Sequence, residues 1–395
     1  MKEKTMSELL ESRWLDTKSA LLEGLSGTKK SVMSATLENT RKYLSETAGA
    51  GATSAGNVAT LNRVILPVIR RVMPTVIANE IVGVQPMTGP VGQIHTLRVR
   101  YSDTVGTGAS GTVAGEEALS PFKIAEAYSG ATAGTAASTA ALEGEAGNKM
   151  SIQILKQTVE AKSRKLSARW TFESAQDAQS QHGIDVEAEI MAALAQEITA
   201  EIDQEVLGSL YTLAGTAEAD TQYDQAGVSG TATFVGDEHA ALAVMINRAS
   251  NKIAQRTRRG AGNWAVVSPF ALTVLQSATT SAFARTTEGT FEAPTNTKMV
   301  GTLNNAMKVY VNTYAADAQD VLVGYKGSSE SDAAAFYCPY IPLMSSGVVL
   351  DPTSFEPVVS FMTRYGYVEL NNTASSLGNA ADYLARVSIA NVSFS

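Results

Sequence analysis

The 395-residue chain has one cysteine, Cys338, and three histidines, His95, His182 and His239, that stand far apart. A lone cysteine excludes an internal disulfide, a thiolate metal cluster and a redox pair. The histidines show neither an HExxH motif nor a paired spacing, so no metal site is predicted, and no cofactor. A GxxxxGK[ST] phosphate loop is absent as well. The uncharged stretch from Ala265 to Ala284 holds Pro269, Gln276 and many Ser and Thr, which makes it a poor membrane span. The N-terminus is charged from Lys2 to Lys4 and lacks an apolar signal core, so export is not expected. With a net charge of −8, the chain lacks the basic excess of a general nucleic-acid binder.

One further absence is local. Between Arg169 and Arg248 there are fourteen Asp and Glu and no Lys or Arg. Within this tract, Ile184 to Leu213 reads as one long helix. Ile190, Leu194, Ile198, Ile202, Val206 and Leu210 recur at helical spacing, with Asp185, Glu187 and Glu189 at its positive N-terminal end. A strict four-residue step winds the apolar stripe around the axis, so different parts of the helix must meet different partners. The helix has no basic residue, so i,i+4 pairing cannot neutralise its acids. Two readings are open: a solvated acidic face, or a face that meets a basic surface elsewhere. The basic tract Lys156, Lys162, Arg164, Lys165 and Arg169 precedes it, and Arg248, Lys252, Arg256, Arg258 and Arg259 follow.

The rest of the chain reads as α+β, without the regular alternation of a doubly wound sheet. Residues 1–46 mix eight basic with seven acidic residues and carry apolar residues at helical intervals, which predicts a detachable, partly helical segment. Thr47 to Gly56 then reads as a small-residue linker. An apolar stripe from Leu61 to Ile77 is interrupted by Pro67 and Pro74, which predicts a kinked helix. Gln93 to Tyr101 alternates as a strand does. In Thr104–Lys149, Gly, Ala, Ser and Thr supply thirty of forty-six residues. A bare loop of this length inside a compact domain is improbable, so a projecting hairpin that packs on another subunit is predicted, with an unstructured insert as the alternative. Gly106-Thr107-Gly108-Ala109-Ser110-Gly111 fits GxGxxG after a strand, but no apolar helical stripe follows to receive a pyrophosphate. An enzyme reading rests on those glycines alone, and a non-enzymatic protein is predicted.

Several stretches together resemble the major capsid protein family of T-even-type tailed bacteriophages. They are IVGVQPMTGPVGQIHTLRVRY (Ile81–Tyr101), VEAKSRKLSARW (Val159–Trp170), AQDAQSQHGIDVEAE (Ala175–Glu189), RTRRGAGNW (Arg256–Trp264), VGYKGSSESDAAAFYCPYIPL (Val323–Leu343) and DPTSFEPVVSFMTRYG (Asp351–Gly366). GVQPMTGPVGQ and YKGSSESDAAAFYCPY are the specific ones. The resemblance implies the tailed-phage capsid fold: an N-terminal arm at 47–92, an extended loop at 93–170 with the Gly/Ala-rich insert 104–149, a peripheral domain at 171–259 with spine helix 184–213, an axial domain at 260–375 and a C-terminal strand region at 376–395. It also implies self-assembly in the host cytoplasm as hexameric capsomers of the virion shell. Dealings with a prohead scaffold, a maturation protease, and vertex, portal and decoration proteins follow from the same resemblance. The related pentameric vertex protein is the alternative.

Family members are trimmed after a Leu/Ile-x-Glu motif. Leu44-Ser45-Glu46 before Thr47 fits, so residues 1–46 are expected to be removed, with Leu21-Leu22-Glu23 before Gly24 as the competing site. Contacts between subunits are expected where Glu197, Glu201 and Glu205 face Lys162, Arg164 and Lys165, or Arg256, Arg258 and Arg259, of a neighbour.

Overall fold

The computed structural model describes residues 27–48, 77–105, 111–116, 128–130, 135–143, 147–182, 185–225, 235–257, 259–278, 283–285, 298–304, 306–316, 320–328, 332–370 and 380–392, with isolated positions between 14 and 25 and at 118. The predicted stripe at 61–76 and most of the small-residue linker lie outside them.

Five helices of two turns or more are described: α1 (Gly27–Ala48), α2 (Phe172–His182), α3 (Val186–Ala214), α4 (Val235–Thr257) and α5 (Pro269–Ser277). Helix α3 starts two residues after the predicted Ile184. The Asp185 side chain caps it, accepting from the backbone N–H groups of Glu187 and Ala188. At about 1.5 Å per residue, its 29 residues run roughly 43 Å. Helix α5 opens as its sequence requires, with Ser268 as cap and Pro269 in the first turn.

Fourteen strands, β1 to β14, make three sheets among the described residues. The mixed seven-stranded sheet has the order β5 (Gln222–Asp224), β14 (Leu384–Ala390), β10 (Val321–Gly324), β6 (Trp264–Val267), β9 (Met307–Val311), β8 (Lys298–Leu303), β7 (Phe283–Arg285). β6 and β10 are buried at every residue, as central strands covered on both faces must be. Alternation assigns the faces. Ala265 and Val267 share a core with Leu242, Ile246 and Ile253 of α4 and Val274 of α5, whereas Trp264 and Val266 share one with α3.

The five-stranded sheet runs β1 (Gly83–Val84), β11 (Ala335–Ser345), β13 (Pro357–Glu369), β12 (Val349–Leu350), with β4 (Lys162–Arg169) along the other edge of β13. Its inner residues Tyr337, Phe361 and Tyr365 join the same core as α3. Helix α3 is therefore wedged between the two sheets. Its winding stripe is used throughout, for Met191, Leu194, Ile198, Ile202, Val206, Leu207 and Leu210 are all buried.

The third sheet is a hairpin, β2 (Val91–Tyr101) against β3 (Met150–Glu160), in unbroken antiparallel register from Val91↔Glu160 to Tyr101↔Met150. Its base is seated on β13, where Gly366 leaves no room for a Cβ against the Val159 side chain. Above it, Tyr101 and Tyr128 pack with ring centroids 4.4 Å apart and tilted planes, in a small cluster with Ala118. Val105 and Thr112 form a bridge; Gly106–Ser110 of the glycine motif lie outside the described residues.

One sequence expectation changes. Residues 47 and 48 are helical, so the helix of the N-terminal segment runs into the predicted linker. Within that segment Leu21, Val32, Met33 and Leu37 are buried in the main core. The sheets join segments far apart in the chain. Strand β13 pairs with both β11 and β4, and this sheet packs on α3, while α4 packs on the seven-stranded sheet; sequence neighbours β10 and β11 belong to different sheets.

Candidate subunit-contact site

The acidic helix and the basic tract before it do meet, and they meet within one chain. β4 lies against α3, which brings Arg164 over the helix. Its Nη1 donates to Glu201 Oε2 at 2.7 Å, its Nη2 to Glu205, and its Nε to Tyr365 Oη at 2.6 Å; Tyr365 in turn donates to Glu205. Burial alone would raise the Glu205 carboxyl. The Tyr365 hydroxyl and the Arg164 guanidinium outweigh it and hold that carboxyl below the usual carboxylate range. The same contacts keep Arg164 firmly protonated although burial opposes its charge.

The basic residues after the helix are also engaged in cis. Arg256 pairs with Glu218, Lys252 with Glu218 and Asp220, Arg248 with Asp220, and Arg259 with Asp332 at 2.6 Å. Arg258 lies outside the described residues. The charges left facing solvent are Glu197 on α3 and Lys162 and Lys165 on β4, all exposed. Of the processing motif, Leu44, Glu46 and Thr47 lie in the last turns of α1.

Sequence reasoning missed two carboxylates. Asp203, inside the α3 stripe, is 1% exposed. Its Oδ1 accepts from the Ile77 N–H at 2.9 Å, and its Oδ2 has no hydrogen-bond partner among the described residues. Burial pushes this carboxyl up to about 7, and the Ile77 N–H offsets only part of that. An acid placed between Ile202 and Val206 on a buried face was the available signal. Glu80 is the second: it sits between Lys29 of α1 and Lys308 of β9, which hold it below the usual range against the effect of burial.

Apolar surface is left open at two places. On the hairpin, Met150, Ile152 and Ile154 project from one face of β3, with the two isoleucines 68% and 66% exposed. At the far end of the five-stranded sheet, Phe172, Val348, Val349, Leu350 and Phe355 are exposed, with the two phenylalanine rings 6.1 Å apart. Asp185 and Glu187 at the start of α3 line the same hollow as Phe172 and Leu350, whereas the hairpin strands carry Arg100 and Lys156. No helix among the described residues is long and apolar enough to cross a membrane.

A buried body with an unburied apolar ribbon is the form of a protein completed by association. The major capsid protein of Vibrio phage KVP40 is 30% identical, matching over 84% of this chain and 81% of its own length. That of Enterobacteria phage T4 is 31% identical, over 86% of this chain and 80% of its own. Among solved structures, a Mycobacterium phage Bobi protein aligns with a TM-score of 0.46 at 14% identity, over 80% of this chain and 90% of that one. The capsid of Myoviridae Phage XM1 aligns at 0.44 and 9%, over 78% and 88%. The description of the major capsid protein Gp23 family matches residues 58–389, and the chain belongs to that family.

Proposed function

We propose that copies of this major capsid chain gather as hexameric capsomers that tile the head of a tailed phage, each hairpin lying over a neighbouring copy. The observation that carries this reading is the exposed Met150–Ile152–Ile154 ladder on a two-stranded sheet, a construction of marginal stability alone. Its counterpart on the neighbour is the Phe172–Leu350–Phe355 patch, whose acidic surroundings suit the basic residues of the hairpin. In this reading the hairpin is the extended loop, α3 with the five-stranded sheet forms the peripheral part, and the seven-stranded sheet with α4 and α5 forms the axial part. Electron microscopy of the concentrated full chain tests it. Sheets, tubes or particles are expected, and a protein that stays monomeric overturns it.

Two finer assignments belong to the same reading. Cleavage after Glu46 yields a mature chain beginning at Thr47. Mass spectrometry of particles checks this, and an intact Met1 or a chain beginning at Gly24 removes it. Charge pairing between copies falls to Glu197 on one side and Lys162 and Lys165 on the other, because Arg164, Glu201 and Glu205 already satisfy one another in cis. The scaffold, maturation protease, portal, vertex and decoration proteins are the partners that family membership implies.

A further inference from the structure

The exposed ladder on the hairpin does not end at Ile154. Side chains two residues apart share one face of a strand, so Lys156 follows Met150, Ile152 and Ile154 on it. The register of β2 and β3 is unbroken through this stretch. At about 3.4 Å per residue, successive rungs stand roughly 6.8 Å apart. Lys156 is exposed and makes no ion pair among the described residues.

The patch at the far end of the five-stranded sheet offers three places at a similar spacing. Phe355 is 71% exposed and sits at φ +56°, a left-handed conformation that bulky residues rarely adopt. Its turn is closed by Asp351 N donating to Glu356 O at 3.0 Å and Phe355 N to Asp351 O at 2.8 Å. A strained turn that holds an aromatic ring in water does nothing for the chain's own core, and such strain persists where a contact or site uses it. The Phe172 ring lies 6.1 Å from that of Phe355, close to one rung of the ladder. Phe172 also lines a hollow of about 280 Å³ walled by Trp170, Val186, Leu350 and Pro357, with Glu187 beside them. That is below the roughly 300–1,000 Å³ of a small-molecule pocket and suits one long side chain. The Asp185 carboxylate is engaged as the cap of α3, whereas half-buried Glu187 has no partner among the described residues. Apolar walls with one carboxylate at the rim fit the aliphatic stem and ammonium of a lysine.

We propose that this hollow is the seat for Lys156 of a second copy of the chain, with Ile154 of that copy on Phe172 and Ile152 on Phe355. The inference rests on the reading that the hairpin lies over a neighbouring copy, and adds which side chain enters which place. Both surfaces are uncovered in the single chain, so the pairing is made between copies. The two isoleucines supply the attraction by burying apolar area. The lysine sets the register. A slip of one residue turns Ser151 and Gln153 to the patch, and a slip of two leaves Lys156 over Phe172 and an isoleucine against the Glu187 carboxylate.

The test uses the full chain, with assembly followed by light scattering. Lys156→Glu should raise the protein concentration needed for assembly about tenfold. Glu187→Lys added to the same chain should bring it back close to the parent's, since the reversed charges then meet between copies. A second arm changes no charge. Chains carrying Ile154→Cys with Phe172→Cys should form ladders of linked subunits when the assembled protein is oxidised. Chains with Ile152→Cys and Phe172→Cys, one rung out and beyond the reach of a disulfide, should not. Where a charge variant melts earlier than the parent, the cysteine pairs decide alone. Lys156→Glu assembling at the parent's concentration overturns the seat, as does a double variant no better than the single one or a ladder formed only by the displaced pair. Each of these leaves the overlying hairpin in place, whereas a parent chain that stays monomeric overturns both.

Discussion

The central strands of the seven-stranded sheet and the strands of the hairpin put apolar side chains to opposite ends. β6 and β10 are unbroken apolar runs with a helix layer on each face and no exposed residue. β3 alternates, and its apolar residues Met150, Ile152 and Ile154 face water. What differs is the covering layer, which the described residues supply for the sheet and not for this face of the hairpin. Where a chain leaves large apolar side chains uncovered on a regular strand, the missing layer comes from another molecule.

The sharpest way to break this contrast is to remove matched methyl groups from the two regions. Ile198→Ala, at a fully buried point of α3, should cost about 2–5 kcal/mol in a denaturant titration of the isolated chain. Ile152→Ala on the hairpin should stay within about 0.5 kcal/mol there and instead reduce assembly seen by electron microscopy. Equal losses of stability in the two variants would show that the hairpin is buried by its own chain.

A second prediction concerns Asp203. Its carboxyl is raised from 3.8 to about 7 by burial, so the folded chain holds a proton that the unfolded chain has already lost. Stability should therefore fall as pH rises between those two values and level off above the upper one. Asp203→Asn keeps an acceptor for the Ile77 N–H without the charge. It should be more stable than the parent at pH 8 by about 2–4 kcal/mol and nearly equal to it at pH 4. Melts at the two pH values check the sign.

Arg164→Ala probes the contact between sheet and helix. Glu201 is exposed and Glu205 half-buried, so solvent screening should hold the loss to about 1 kcal/mol at neutral pH. Because the Glu205 carboxyl is depressed, that contribution is present above the ordinary glutamate value of 4.5 and disappears as pH falls through the lower folded value. The smallest effect on the lone chain is expected from Glu197→Lys, within about 0.5 kcal/mol. In assembly, by contrast, it should be a strong hindrance, relieved in part by Lys162→Glu with Lys165→Glu. Failure of that rescue would remove the charge contact from the interface.

Much of this was legible beforehand. The long helix could be placed within two residues because its stripe and its N-terminal acids are local features. The winding of that stripe announced several partners, and α3 does pack against both sheets. The arginine that neutralises its acids was within the basic tract singled out, but the sequence could not say whether the pairing lies inside one chain or between two. That depends on β4 pairing with a strand nearly two hundred residues later, a non-local event with no local signature. The same limit hid the role of the first helix. Its mixed charge reads as a detachable segment, and only the burial of Met33 and Leu37 in the main core shows that it packs there. Asp203 looked like one acid among fourteen until burial set it apart.

The five-stranded sheet has a consequence for synthesis on the ribosome. Its middle strand, β13, is made near the end of the chain, while β1 and β4 emerge far earlier and must wait for it. Helix α3, sandwiched between two sheets, likewise lacks half of its packing until residues 335–369 have left the exit tunnel. Long-range pairing of this sort slows folding and leaves nascent edges open to the wrong partner. A chain that stops short of residue 357 thus lacks the strand that ties β4 to β11, and leaves both with unpaired edges.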